Sequence, residues 1–138
     1  MSTGGIPFLE NGIECVCVDS QDPERLAAWW QKLVGGEAHI DSDGDVSLRT
    51  GSMVVLFLAV PEPKRHKNRL HFDLRATDFE SAVAAALALG AELAPDIYDG
   101  PSWQVLRDPE GNEFCILRPR DDTGHHAGTD GAPSSIGP

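Results

Sequence analysis

Two stretches of this 138-residue chain read as copies of each other. Cys15-Val16-Cys17-Val18-Asp19-Ser20-Gln21-Asp22 lines up with His71-Phe72-Asp73-Leu74-Arg75-Ala76-Thr77-Asp78, and in each copy six residues separate the first position from an Asp. A repeat on this scale means one supersecondary unit used twice, and it constrains the fold more than any single motif. Each copy opens on alternating residues, as a strand does, and then turns to helical spacing. In the first copy Pro23 suits the first helical position, where a missing N–H costs nothing. Leu26, Trp29, Trp30 and Leu33 form its apolar stripe, and Gly35-Gly36 ends it. In the second, Thr77 and Glu80 suggest a capping box; Phe79, Val83, Ala86 and Leu87 form the stripe, and Gly90 closes it. Three strands follow each helix. They are expected near Ala38–Ile40, Val46–Arg49 and Met53–Val60 in the first copy, and near Ala91–Ile97, Trp103–Arg107 and Glu113–Leu117 in the second. The run Asp108-Pro109-Glu110-Gly111-Asn112 between the last two has strong turn chemistry.

Each copy is therefore βαβββ, and about fifty residues bury too little apolar surface to stand alone. The expected class is α+β: two tandem βαβββ modules forming a curved mixed sheet, with helices on its convex side. The modules span 13–60 and 69–119, joined by a linker at 61–68. Residues 1–12 form an N-terminal arm. Residues 120–138, rich in Gly, Pro, Ser and Asp, read as a flexible tail. Strand parity aims Val16, Val18, Phe72, Leu74, Phe114 and Ile116 at the helices. It aims Cys15, Cys17, Asp19, His71, Asp73, Arg75, Glu113, Cys115 and Leu117 at the opposite face. That face is unusually polar and reactive for a sheet interior, so the site is expected there.

The chain carries 11 Lys and Arg against 22 Asp and Glu, a net charge of -11. Such a field repels nucleic acid. The one basic run, Lys64 to Arg69, reads as a solvated linker. No apolar stretch approaches the ~20 residues of a membrane-spanning helix. With no signal-peptide pattern and an odd count of three cysteines, reduced thiols in the cytoplasm are expected.

With these residues in view the sequence resembles the vicinal oxygen chelate superfamily, the glyoxalase, bleomycin-resistance and dioxygenase group, and especially its small glyoxalase-like domain branch. The resemblance covers roughly residues 12–119. It rests on the tandem βαβββ pattern, on Asp22-Pro-Glu-Arg-Leu-Ala-Ala-Trp-Trp30, on Arg69-Leu-His-Phe-Asp-Leu74, and on Trp103-Gln-Val-Leu-Arg-Asp-Pro-Glu-Gly-Asn-Glu-Phe-Cys115. It implies a homodimer and a concave small-molecule pocket. It leaves the reaction open, because members include lyases, dioxygenases, epimerases, thiol transferases and metal-free drug-binding proteins. In members that hold a metal, the first- and last-strand positions of each copy supply the ligands. Here these fall on Cys15, on His71 and on Cys115, with Glu113 two residues earlier on the same face. The last strand of the first copy, Met53 to Val60, offers no ligand. A hard cation is poorly served by thiols.

The expectation is therefore a pocket for a small, partly apolar molecule, with no cofactor. It would serve either sequestration and resistance or metal-free acid–base chemistry. His71 is its anchor or base, because imidazole ordinarily changes charge near neutral pH. Asp73 orients His71 or pairs with Arg75. Cys15, Arg75, Trp103, Cys115, Glu113 and Leu58 contact the ligand, with Trp103 offering a stacking face. The alternative is a metal-dependent lyase or dioxygenase in which Cys15, His71 and Cys115 (or Glu113) hold Zn²⁺ or another divalent transition metal. Blander readings compete throughout. Buried cysteines fill space, Trp29 and Trp30 are core, Asp41, Asp43 and Asp45 are a solvated hairpin approach, and His125 and His126 face solvent in the tail.

Overall fold

The computed structural model describes residues 3–10, 12–97 and 100–120. The chain divides into two compact units, with the boundary between Glu62 and Pro63. Most of the C-terminal tail, including His125 and His126, lies outside the described residues.

The first unit runs β1 (Val16–Ser20), α1 (Pro23–Val34), β2 (Glu37–Ile40), β3 (Val46–Thr50) and β4 (Met53–Ala59). Its four strands order β1-β4-β3-β2, with β1 parallel to β4 and the other pairs antiparallel. The Asp22 carboxylate caps α1 by accepting the Arg25 N–H at 3.2 Å, and Pro23 follows at the first turn. The stripe then packs on the sheet: Leu26, Ala27, Trp29 and Trp30 are buried, and the two indoles meet edge to face at 5.3 Å. Val55 and Phe57 of β4, opposite Val16 and Val18 of β1, face that helix and are buried. At Gly36 the backbone takes φ +105°, and an added Cβ would collide with the Arg49 carbonyl. Only glycine lets the chain leave α1 this close to β3.

The second unit repeats the plan with β5 (Phe72–Arg75), α2 (Phe79–Ala88), β6 (Glu92–Leu93), β7 (Trp103–Arg107) and β8 (Glu113–Leu117), in the order β5-β8-β7-β6. Strand β5 is parallel to β8 in the register Phe72↔Phe114, Asp73↔Cys115, Leu74↔Ile116, Arg75↔Leu117. All five residues of β8 are buried, as expected of the strand held between two neighbours.

Three details depart from expectation. The cap of α2 is Asp78, whose carboxylate accepts the Ser81 N–H at 3.1 Å, rather than a Thr77–Glu80 box. The helix therefore begins one residue later, and an ionised acceptor occupies the position nearest the helix's free N–H groups. Leu87 is substantially exposed, and Ala86 is the buried residue of α2. The segment from Ala82 to Leu89 is almost wholly apolar, so its pattern does not select a face. Finally, β6 stops after two residues instead of reaching Ile97. Pro95 has no N–H for a ladder bond, and the Ile97 N–H turns back to the Ala94 carbonyl at 3.1 Å.

Candidate functional site

Strand parity delivers the site chemistry in each unit. On β5, Asp73 stands opposite Cys115 of β8, and His71 precedes the strand on the same side. The three side chains converge: one ligand-type atom of each of His71, Asp73 and Cys115 lies within 4.8 Å of the others. His71 Nδ1 is 3.1 Å from Asp73 Oδ1, and the Cys115 thiol also hydrogen-bonds the Asp73 carboxylate. The His71 and Asp73 side chains retain 15% and 22% exposure, so the pair is partly shielded yet reachable from solvent. Cys115 beneath them is buried.

Burial pushes the Asp73 carboxyl above the usual aspartate range, outweighing the opposing pull of His71, Cys115 and Arg75. A carboxylate facing Nδ1 selects the tautomer with the proton on that nitrogen. His71 Nε2 then carries the lone pair and is the proton-accepting nitrogen. Arg75, the next same-face position on β5, donates from Nη1 to the Arg118 carbonyl. Burial and the neighbouring Arg120 charge lower its value. Arg75 thus borders the pair while bracing the end of β8.

The other candidates are placed as follows. Trp103 is 6% exposed and packs with Ala94, Val105, Cys115 and Leu117. Its six-membered ring lies so close to Gly100 that any side chain there would collide with it. The indole is part of the packing that supports Cys115, where stacking on a ligand was expected. Cys15, just before β1, and Leu58 of β4 belong to the first unit, each partly buried. There β4 turns Val54, Leu56 and Leu58 away from α1, with Leu56 opposite Cys17 and Leu58 opposite Asp19. Partial desolvation raises the Cys17 thiol above its ordinary value, helped by Cys15 and Asp19.

Glu113 does not join His71. Its side chain is 1% exposed, and both oxygens are occupied. Oε1 accepts the Asn68 N–H at 2.9 Å, while Oε2 faces Lys64 Nζ at 3.1 Å and Arg107 Nε at 3.3 Å. Burial alone would push this carboxyl up, but Asn68 and Lys64 outweigh it and hold it below the usual glutamate range. The expected solvated linker is thereby corrected: Lys64 and Asn68 latch it to β8, while Arg65, His66 and Lys67 stay exposed. A glutamate in an otherwise apolar strand was the signal, since a buried carboxylate needs cations or N–H donors.

A cleft of about 360 Å³ opens over this latch, bounded by Lys64, Arg65, Asp96, Arg107 and Glu113. Lys64, Arg107, Asp96 and Glu113 pair with one another there. Arg107 grips Asp96 with two bonds of 2.7 and 2.8 Å, which pulls Asp96 down to about 2. The run Asp41-Ser-Asp-Gly-Asp45 also serves structure. Asp41 Oδ1 accepts the N–H groups of Asp43 and Asp45, and Asp45 accepts that of Ala59.

Residues 15–117 match the family described as glyoxalase-like domain. No curated protein matches the chain. Among solved structures, it is similar to a glyoxalase/bleomycin resistance protein/dioxygenase family enzyme from Burkholderia phytofirmans, at 23% identity and TM-score 0.62, over 75% of this chain and 94% of that one. The fosfomycin resistance protein FosX from Mesorhizobium loti aligns at 15% identity and TM-score 0.64, over 79% and 92%. A lactoylglutathione lyase from Agrobacterium tumefaciens aligns at 19% identity and TM-score 0.57, over 79% and 94%. At these identities the likeness is one of fold.

Proposed function

Because this chain belongs to the glyoxalase-like domain family, we propose that it uses the family fold to bind a small, partly apolar molecule through a metal-independent His71–Asp73 anchor. The observation that carries this reading is the 3.1 Å contact between His71 Nδ1 and Asp73 Oδ1. With Nδ1 committed to Asp73, Nε2 is held in one direction and can accept a proton or a hydrogen bond from a hydroxyl, enol or activated C–H group. Asp73 orients the ring and stabilises it once protonated. Cys115 secures Asp73 from below. Sequestration requires only that Nε2 accept; acid–base turnover requires that it take the proton and return it.

One observation favours a second reading. His71, Asp73 and Cys115 offer nitrogen, oxygen and sulfur donors within 4.8 Å, a mixed set that suits Zn²⁺ or a similar transition metal better than Mg²⁺. Such an ion would act as a Lewis acid toward a ligand oxygen. Asp73 takes the place expected of Cys15 in that set. The metal-independent reading is preferred because Asp73, already engaged by His71 and Cys115, sits where burial disfavours its charge.

The test is a thermal-shift and tryptophan-fluorescence screen of compact hydroxylated and enolisable aromatics, run with elemental analysis of the purified protein. Hits that survive chelator treatment and are lost in His71→Ala support the proposal. Stoichiometric metal retained by the wild type and lost in His71→Ala would transfer the site to the second reading. Product analysis of any hit separates a catalyst from a binder.

A further inference from the structure

In the first unit the two thiols of Cys15 and Cys17 come within 3.9 Å of each other. They are alternate residues about one extended backbone, so both sulfurs emerge on the same side of β1. Cys15 is partly exposed and Cys17 is exposed. Asp19 takes the next position on that side and is exposed too.

We propose that Cys15 and Cys17 form a bidentate site for a thiophilic d¹⁰ cation, of which Zn²⁺ and Cd²⁺ are representatives. The sulfur separation decides between the two chemistries open to such a pair. Two thiolates bound at about 2.3 Å to a tetrahedral cation stand about 3.8 Å apart. The observed spacing therefore accepts the ion with almost no movement. A disulfide needs about 2.05 Å, so the sulfurs would have to close by nearly half their separation. Residues two apart in an extended strand also have Cα atoms about 6.8 Å apart, at the outer limit for a disulfide. Charge points the same way. Two thiolates beside the Asp19 carboxylate repel one another, and a divalent cation converts that repulsion into attraction. On binding, each thiol gives up its proton to solvent and each sulfur donates one electron pair to the metal, with no change of oxidation state. Leu56 is the register partner of Cys17 across the ladder, and soft thiolate donors favour a thiophilic ion over a hard, strongly hydrated one. The site is independent of the His71–Asp73 reading, since it draws on none of those residues.

The test is a Cd²⁺ titration of the full chain, reduced and stripped by chelator. The thiolate-to-cadmium charge-transfer absorption is followed, and affinity is measured by competition with a chromophoric chelator. The wild type should show a two-thiolate band. Cys17→Ser and Cys15→Ser should each weaken binding about tenfold or more and halve the band, while Cys115→Ala and His71→Ala leave both unchanged. Cadmium NMR of the wild type, which needs no variant, should report two sulfur ligands. A band undiminished in Cys17→Ser, a band lost in Cys115→Ala instead, or a resonance without two sulfurs would overturn the proposal.

Discussion

The two carboxylates nearest the chemistry illustrate how burial alone does not assign a role. Asp73 and Glu113 both sit on strands and both are shielded, yet their values move in opposite directions. Glu113 is held down by an N–H, an ammonium and a guanidinium; Asp73, in hydrogen-bond contact with His71 and Cys115 and near Arg75, is pushed up by desolvation. The first pattern is that of a structural clamp and the second is the one the proposed anchor calls for. Glu113→Ala should therefore cost stability, by about 2–3 kcal/mol, because it strands the partly buried Lys64 and Arg107 charges and the Asn68 N–H. Urea denaturation measures it, and Glu113→Gln should recover part of the loss by keeping an acceptor for Asn68. Asp73→Asn should behave otherwise. The fold should persist with little change in melting temperature, while affinity for any ligand anchored by His71 falls about tenfold or more, the worth of a charged hydrogen bond. Calorimetric titration of the two proteins makes that comparison.

At the scale of the element, much was legible because the governing interactions are local. Asp22-Pro23 announces the start of α1, and glycines at 35, 36 and 90 mark the helix ends. Alternation on β5 and β8 correctly placed Asp73 and Cys115 on one face, since a period of two leaves a strand no other choice. The illegible parts depend on distant partners. Nothing near Glu113 in sequence reveals that Lys64, some fifty residues earlier, closes over it. Nor does the alternation around Trp103 reveal that Gly100 and Ala94 bury its ring. The helix α2 lies between these cases, since its start is encoded locally but its all-apolar middle leaves the buried face to tertiary packing. Moving its cap from Thr77 to Asp78 has a direct consequence. Asp78→Ala should destabilise the protein by about 1 kcal/mol, whereas Thr77→Ala should be close to neutral. Thermal melts of the two single variants distinguish the assignments.

Over the whole molecule, the acidic excess and the linker latch together set the response to pH. Glu113 is depressed below its ordinary value of 4.5, and exposed Asp96 lies at about 2 against 3.8. A depressed carboxyl stabilises the folded state above its unfolded value, and that contribution is lost as pH falls through the folded one. Stability should therefore drop as pH is lowered from about 5 toward 2. Asp73, being raised, works in the opposite sense, since its burial costs least when it is protonated, but it is one group against two. Urea midpoints across that range check the direction, and Glu113→Gln should flatten the slope. Among the described residues no helix is long and apolar enough to cross a membrane. The fold is the family's; the proposed use of it rests on one imidazole.

That imidazole can be observed directly. A long-range nitrogen–proton correlation spectrum of the histidine rings in the metal-stripped wild type, repeated in Asp73→Asn, reads which nitrogen of His71 carries the proton. The account predicts a proton on Nδ1 with Nε2 unprotonated in the wild type, and loss of that preference in Asp73→Asn. A neutral His71 protonated on Nε2, unchanged by the substitution, would contradict it.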